Sequence, residues 1–393
     1  MARRVFVVVL DSFGVGAAPD AAAFGDAGTN TLRAVAGSPE LHAPHLADLG
    51  LFNLDGIDFG PRVEAPFGAY ARLREFSQGK DSTVGHWEIA GHISERPLPT
   101  FPQGFPAELI ERYEQATGHK VLCNLPYSGT QALHDYGEQA IAEDALIVYT
   151  SADSVFQVAA HEDHIPVAEL YRYCEIAREM CQGPYGVGRV IARPFLGRDT
   201  DSFYRTPRRH DLSLQPPADT MLDVLSRAGK DVIGVGKIYD LFAGKGLTET
   251  IKTTGNTNGI AFTRALLTRD FDGLCFVNLV DTDMIYGHRR DIPGYARAIS
   301  EYDASLAYFL PHMRDDDILI VTADHGCDPS YTKTTDHTRE YTPMLVYGKH
   351  VRPGVDLGTR DGFGTVAATV CDYLGVAHDK LSGTSVADDI FVF

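Results

Sequence analysis

Residues 5–10 (Val-Phe-Val-Val-Val-Leu) form an unbroken apolar run rich in β-branched side chains, and the run stops at Asp11. A strand covered on both faces reads this way, because neither face needs polar alternation. The same texture returns at 145–150, 188–194, 231–235, 274–280, 318–321 and 344–347. Segments with helical periodicity lie between them, at 166–181, 218–228, 259–267, 295–309 and 364–374. The first of these opens on Pro166, a residue tolerated in a first turn. Residues 28–32 read as a turn followed by a helix N-cap. From Pro217 onward helices and strands alternate, which indicates βαβ units and a mostly parallel sheet. Residues 98–216 interrupt that pattern. They are introduced by Pro97, Pro99, Pro102 and Pro106, carry their own short strands and helices, and end at Pro216-Pro217. The expected organisation is a core domain, 1–97 and 217–393, with an inserted smaller α+β domain at 98–216.

The residues just beyond the strands add candidate chemistry. In an open α/β sheet, ligands bind outside the carboxyl ends of the strands. Asp11 follows the first strand, Asp283 and His288 follow the strand 274–280, and Asp324-His325 follow 318–321. His337 lies in the loop before 344–347. Three carboxylates and three imidazoles suffice for two metal ions with three protein ligands each. The segment 79–88 (Gly-Lys-Asp-Ser-Thr-Val-Gly-His-Trp-Glu) supplies a hydroxyl, Ser82 or Thr83, beside Lys80. Such a hydroxyl needs a base or a metal to become a nucleophile, and otherwise serves as a helix cap. Two metals with a hydroxyl nearby suit phosphoryl transfer. Gly14-Val-Gly16 is no dinucleotide fingerprint, since no third glycine follows at the required spacing.

Composition narrows the partners. At 393 residues, two domains are the natural expectation. The formal net charge of −18 argues against binding nucleic acid. Any anionic substrate must therefore be held by locally placed cations or metal. Arg189, Arg193, Arg205, Arg208 and Arg209 cluster in the inserted segment and offer such cations. No stretch reaches the ~18 apolar residues of a membrane span. The basic start at Arg3-Arg4 leads into a strand rather than a signal peptide. Six scattered cysteines without CxxC spacing fit reduced thiols in a cytoplasmic protein.

Taken together, Val9-Leu-Asp11, 79–88, Asp281-Thr-Asp-Met-Ile-Tyr-Gly-His-Arg-Arg290, Ala323-Asp-His-Gly326 and Thr335-Asp-His-Thr-Arg-Glu-Tyr341 resemble bacterial phosphopentomutase, of the alkaline phosphatase superfamily. The resemblance runs nearly end to end and includes 149–155 and 187–194, which lie in the inserted segment. It implies an alkaline-phosphatase-like α/β core, its sheet sandwiched by helices, and a cap formed by the insertion. It implies two manganese ions, one on Asp283, His288 and His337 and the other on Asp11, Asp324 and His325. The nucleophile implied is Ser82, with Thr83 in reserve. The family usually has threonine at this position, and the loop between His325 and His337 is about one residue longer here. Ser151, Asp153, Val155 and Ile191 would face the pentose, and Arg205 and Lys237 would hold phosphate, with Arg189 and Arg193 as further candidates. The implied activity interconverts ribose 1-phosphate and ribose 5-phosphate, and the 2-deoxy pair, through a phosphoserine and a 1,5-bisphosphate. A sugar bisphosphate such as glucose 1,6-bisphosphate would prime a cytoplasmic monomer. The alternatives are a phosphohydrolase on the same metals, a phosphoglycerate mutase, and a non-catalytic binder.

Overall fold

The structure, a computed structural model, describes residues 2–151 and 153–392. It divides into two compact units, residues 1–97 with 216–393, and residues 98–215. The first unit opens with strands β1 (Arg4–Leu10) and β2 (Ala69–Arg74). The second carries β3 (Val121–Pro126), β4 (Leu146–Thr150), β5 (Val155–His161), β6 (Arg189–Leu196), β7 (Tyr204–Arg205) and β8 (His210–Ser213). The first then resumes with β9 (Asp231–Val235), β10 (Glu249–Ile251), β11 (Gly273–Leu279), β12 (Asp317–Thr322), β13 (Thr342–Tyr347) and β14 (Asp356–Asp361).

The first unit's sheet has the order β10-β9-β11-β1-β12-β13-β2-β14. Every neighbouring pair is parallel except the two made by β13, which is antiparallel to both β12 and β2. Seven strands therefore run one way, and the amino end of the reversed strand lies at the edge where its neighbours' carboxyl ends emerge. The mostly parallel sheet expected from the sequence is present. Residues 344–347 form a strand as expected, within β13, but its reversed direction is not announced by periodicity, nor is the edge strand β14.

Burial on both faces explains why β1 shows no alternation. Phe6, Val8 and Leu10 join an apolar cluster with Leu32, Val35, Tyr295, Ile299 and Leu306, from the helices Thr31–Ala36 and Ile292–Phe309. Successive strand side chains point to opposite faces, so Val5, Val7 and Val9, also fully buried, look the other way. On that second face Phe276 of β11 meets His86 of the helix Ser82–Ile89 and Phe242 of the helix Ile238–Phe242. Helices thus cover both faces. Asn30 caps Thr31–Ala36 by accepting from Arg33 N at 2.9 Å, and Gly28 precedes it at φ 84°, as the turn at 28–32 requires.

The second unit is a mixed sheet of order β3-β4-β5-β6-β7, with β8 also paired to β6. The helices Ala107–Thr117 and Val167–Met180 pack with Val148, Phe156, Val158 and Val190 on one face. The helix Gly129–Glu143 packs with Ile147, Tyr149 and Phe195 on the other.

At the amino edge of the large sheet, Arg4 is fully buried and forks onto Asp317 of β12, with Nε–Oδ1 2.8 Å and Nη2–Oδ2 2.5 Å. Its Nη1 donates to the carbonyls of Leu267 at 3.0 Å and Arg269 at 2.6 Å. Removing one partner of a buried pair leaves the other charge uncompensated. Asp317→Ala is expected to destabilise the protein by about 3–5 kcal/mol, read as a lower urea midpoint. An unchanged midpoint would contradict this reading of the pair.

Candidate active site

The carboxyl edge of the large sheet gathers the polar residues that follow its strands. Asp11 comes directly after β1, and Ser12 then takes φ 67°. A non-glycine residue held there costs about 1–3 kcal/mol. The sharp turn aims the Ser12 N–H at Asp324 Oδ1, 3.0 Å away, and brings Ser12 Oγ to 3.0 Å from Tyr295 Oη. Asp324 and His325 follow β12, while Asp283 lies in the π-helical turn Thr282–Gly287 after β11. His337 precedes the reversed β13, which is why a residue upstream of a strand shares this edge.

The distances define two overlapping donor groups. Ligand atoms of Asp11, Asp324 and His325 lie within 4.8 Å of one another, and so do those of Asp283, His325 and His337. His288 Nε2 is 3.4 Å and His337 Nε2 3.3 Å from the same Asp283 oxygen. All six residues expected to bind metal are therefore in one place. A third group, Asp283, His288 and Cys327, brings in a sulphur that was assigned no role from the sequence.

Ser82 is the first residue of the helix Ser82–Ile89, and Asp81 caps it by accepting from the N–H groups of Thr83 and Val84 at 3.0 and 3.1 Å. The serine is thus released from the capping role that was its structural alternative. Its Oγ lies 3.1 Å from His325 Nε2 and 3.5 Å from Asp11 Oδ1. Successive helical residues point about 100° apart, so Thr83 cannot share that position. Gly85 lets the helix come this close: a Cβ there would sit 2.2 Å from the Asp324 carbonyl oxygen. Arg339, two residues past His337, fixes the approach to Ser82 by donating to the carbonyls of Ser77, Gly79 and Glu75 at 2.8–2.9 Å.

Two residues that sequence reasoning passed over hold the carboxylates in place. Asn278 Nδ2 donates to Asp11 Oδ2 at 2.8 Å. His86 Nδ1 lies 3.1 Å from Asp324 Oδ2 and 2.8 Å from the Ser82 carbonyl oxygen. Each had a signal. Asn278 is a lone amide inside an apolar strand, and His86 stands four residues after Ser82, on the same helical face.

Crowding of charge sets the electrostatics. Burial first, then the charges of Asp324 and Asp283, push the Asp11 carboxyl up to about 6. Burial would raise Asp324 as well, but the imidazoles of His325 and His86 hold it below the usual carboxylate range. Burial likewise opposes ionisation of Asp283, which the close imidazoles of His288 and His337 keep well below its ordinary value. The Asp283 carboxylate beside it lifts His288 to about 9 against the effect of burial. Burial disfavours a charged His325, yet Asp324, then Asp11 and Asp283, raise it well above normal. Despite these attractions, Asp283 Oδ1 and Asp324 Oδ2 are buried without a well-formed hydrogen bond. Carboxylate oxygens left so, facing imidazole nitrogens at 3.1–3.4 Å, fit shared metal ions better than a closed hydrogen-bond network.

Lys237 immediately precedes the helix Ile238–Phe242, and its charge acts on Asp11. Among the described residues its ammonium has no ion pair. In the second unit, Asp153 N approaches Ser151 Oγ at 3.3 Å, and Ala152 between them lies outside the described residues. Val155 and Ile191 are buried in β5 and β6, and Arg205 of β7 lies beside Gly129 and the Tyr149 hydroxyl. Arg193 donates to Gln157 Oε1 at 3.0 Å, Arg189 and Arg209 face Asp211, and Arg208 pairs with Glu162.

The sequence profile of the Metalloenzyme superfamily matches residues 3–378. Phosphopentomutase of Lachnoclostridium phytofermentans is 55% identical over 388 residues, covering 98% of this chain and 99% of that protein. Phosphopentomutase of Clostridioides difficile is 48% identical over 390 residues, covering 99% and 100%. The chain belongs to the phosphopentomutase family. In fold it is similar to a phosphoglycerate mutase from Leishmania mexicana, with TM-score 0.52, 14% identity, and 100% and 98% of the two chains covered. It is also similar to a protein from Pyrococcus horikoshii, with TM-score 0.51, 13% identity, and 97% and 99% covered. These likenesses are of fold, and agree with the mostly parallel α/β core expected from the sequence. Membership of the phosphopentomutase family and the superfamily match, with the donor clusters, make the protein metal-dependent.

A metal ligand must be deprotonated, so binding displaces protons and strengthens as pH rises. With His288 raised to about 9, divalent-metal affinity is expected to climb continuously from pH 6 toward 9, with proton release on binding. Calorimetry in buffers of different ionisation enthalpy checks both. Affinity independent of pH would contradict the ligand role of His288.

Proposed function

We infer that the protein is a phosphopentomutase in activity, interconverting ribose 1-phosphate and ribose 5-phosphate, and the 2-deoxyribose pair. The observation that carries this reading is Ser82 Oγ poised 3.1 Å from His325 Nε2, beside the donor group of Asp11, Asp324 and His325, in a chain of this family. Two manganese ions, one on Asp11, Asp324 and His325 and one on Asp283, His288 and His337, would lower the pKa of the Ser82 hydroxyl and neutralise charge on the transferring phosphoryl group.

Ser82 at the first position of its helix places a phosphoserine at the positive end of the helix dipole. The free hydroxyl of the substrate attacks that phosphorus. The Ser82 Oγ–P bond breaks, a substrate O–P bond forms, the hydroxyl's proton passes to the freed Ser82 Oγ, and the product is the 1,5-bisphosphate. Ser82 Oγ then takes the other phosphoryl group, its proton passing to the sugar oxygen that leaves, which restores the phosphoserine and releases the isomer. Asn278 and His86 orient Asp11 and Asp324 throughout. Lys237 and Arg205 are assigned to the phosphates, with Arg189 and Arg193 as further candidates, and Ser151, Asp153, Val155 and Ile191 to the pentose. The second unit, so charged with substrate selection, would act as the cap. A sugar bisphosphate such as glucose 1,6-bisphosphate supplies the first phosphoryl group. A monomer in the cytoplasm completes the reading. No described helix is long and apolar enough to cross a membrane.

The test uses the purified protein with Mn²⁺, ribose 1-phosphate and a trace of glucose 1,6-bisphosphate, with ribose 5-phosphate and free phosphate measured together. Ribose 5-phosphate should form with little free phosphate. Stoichiometric free phosphate without the isomer would contradict the mutase and leave a phosphohydrolase. Ser82→Ala is expected to lower kcat by about 10³-fold or more, while Thr83→Ala stays within about tenfold of the parent.

A further inference from the structure

Cys327 stands outside the ligand set of the proposed mutase, yet it is built into the metal centre. It follows His325 by two residues and is buried. Its Sγ, an Asp283 oxygen and a His288 nitrogen all lie within 4.8 Å of one another. The sulphur has a reserved space: a Cβ on Gly287 would stand 2.9 Å from Sγ, so any larger residue there would displace it. Its backbone is also held, with Cys327 N donating to Thr31 Oγ1 at 3.1 Å. Among the described residues the Sγ makes one long hydrogen bond, 3.8 Å to the Asp336 carbonyl oxygen. Asp283 Oδ1, buried and without a well-formed hydrogen bond, belongs to the same group.

Donor chemistry separates two ways of using Asp283. Carboxylate and imidazole with His337 or His325 make an all-oxygen-and-nitrogen set, which accepts manganese or zinc. Carboxylate, imidazole and thiolate with Cys327 make a softer set, which suits zinc and, more strongly, cadmium. The two sets share Asp283 and cannot be filled independently. We propose that Asp283, His288 and Cys327 form a soft-metal site overlapping the manganese position, which captures zinc- and cadmium-class ions through the Cys327 sulphur. On capture the S–H bond breaks, a sulphur–metal bond forms, and the proton passes to solvent. This inference rests on the two-metal reading and adds to it a residue that decides which ions the centre accepts. Soft ions would then compete with manganese for the enzyme.

The experiment titrates Cd²⁺ into metal-free, fully reduced protein and follows the ultraviolet sulphur-to-cadmium charge-transfer band. The band should appear and saturate in the parent protein. It should persist in Cys123→Ser, which removes the half-buried thiol of the second unit, and vanish in Cys327→Ser. Absence of the band in the parent, or its full survival in Cys327→Ser, overturns the proposal. The parent titration stands whether or not the variant folds. Mn²⁺ binding, measured in parallel by electron paramagnetic resonance, separates the two readings. Tight manganese binding without a cadmium–thiolate band removes the soft site alone. No binding of either ion removes the metal centre with it.

Discussion

The repulsion among buried carboxylates is the constraint on which the rest of the site depends. Ligand oxygens of Asp11 and Asp324 lie within 4.8 Å of each other, and Asp283 faces the same imidazole, His325. Two like charges at that separation repel by about 3–4 kcal/mol at an effective dielectric near about 20. The crowding raises Asp11 to about 6 and lifts His288 and His325 toward their charged forms. A charge-dense cluster of this kind is relieved when cations are supplied. Divalent ions supply them in a form that also serves phosphoryl transfer.

The fold presents that cluster economically. Parallel strands deliver Asp11, Asp283 and Asp324 to one edge, and the single reversed strand brings His337 to the same edge from its amino side. The helix Ser82–Ile89 then packs against Asp324, which Gly85 permits, and Asp81 takes over the capping so that Ser82 is free. The opposite edge holds the structural counterpart. There the Arg4–Asp317 pair closes buried strand starts with a complete set of partners.

What could be read from the sequence follows from what repeats locally. The apolar runs at 5–10, 274–280 and 318–321 mark strands buried on both faces, and the acidic residue beyond each marks the functional edge. The reversal of β13 was not legible, because strand direction depends on tertiary pairing. Nor was the π-helical turn at Thr282–Gly287, which needs only one extra residue per turn to re-aim Asp283. The neighbouring Ser82 and Thr83 read alike as letters, and only helix geometry shows which faces His325. Asn278, His86 and Cys327 escaped because each acts through contacts distant in sequence. The polar interruption of an apolar strand at Asn278 was nonetheless visible.

The central claim is that Ser82 carries the transferred phosphoryl group. It is tested most directly by incubating the Mn²⁺-loaded protein with glucose 1,6-bisphosphate and mapping phosphorylation by fragmentation mass spectrometry. The account predicts a single phosphate on Ser82, absent from the Ser82→Ala protein. A phosphate on Thr83, or no covalent phosphate in an enzyme that still interconverts the pentose phosphates, would contradict it.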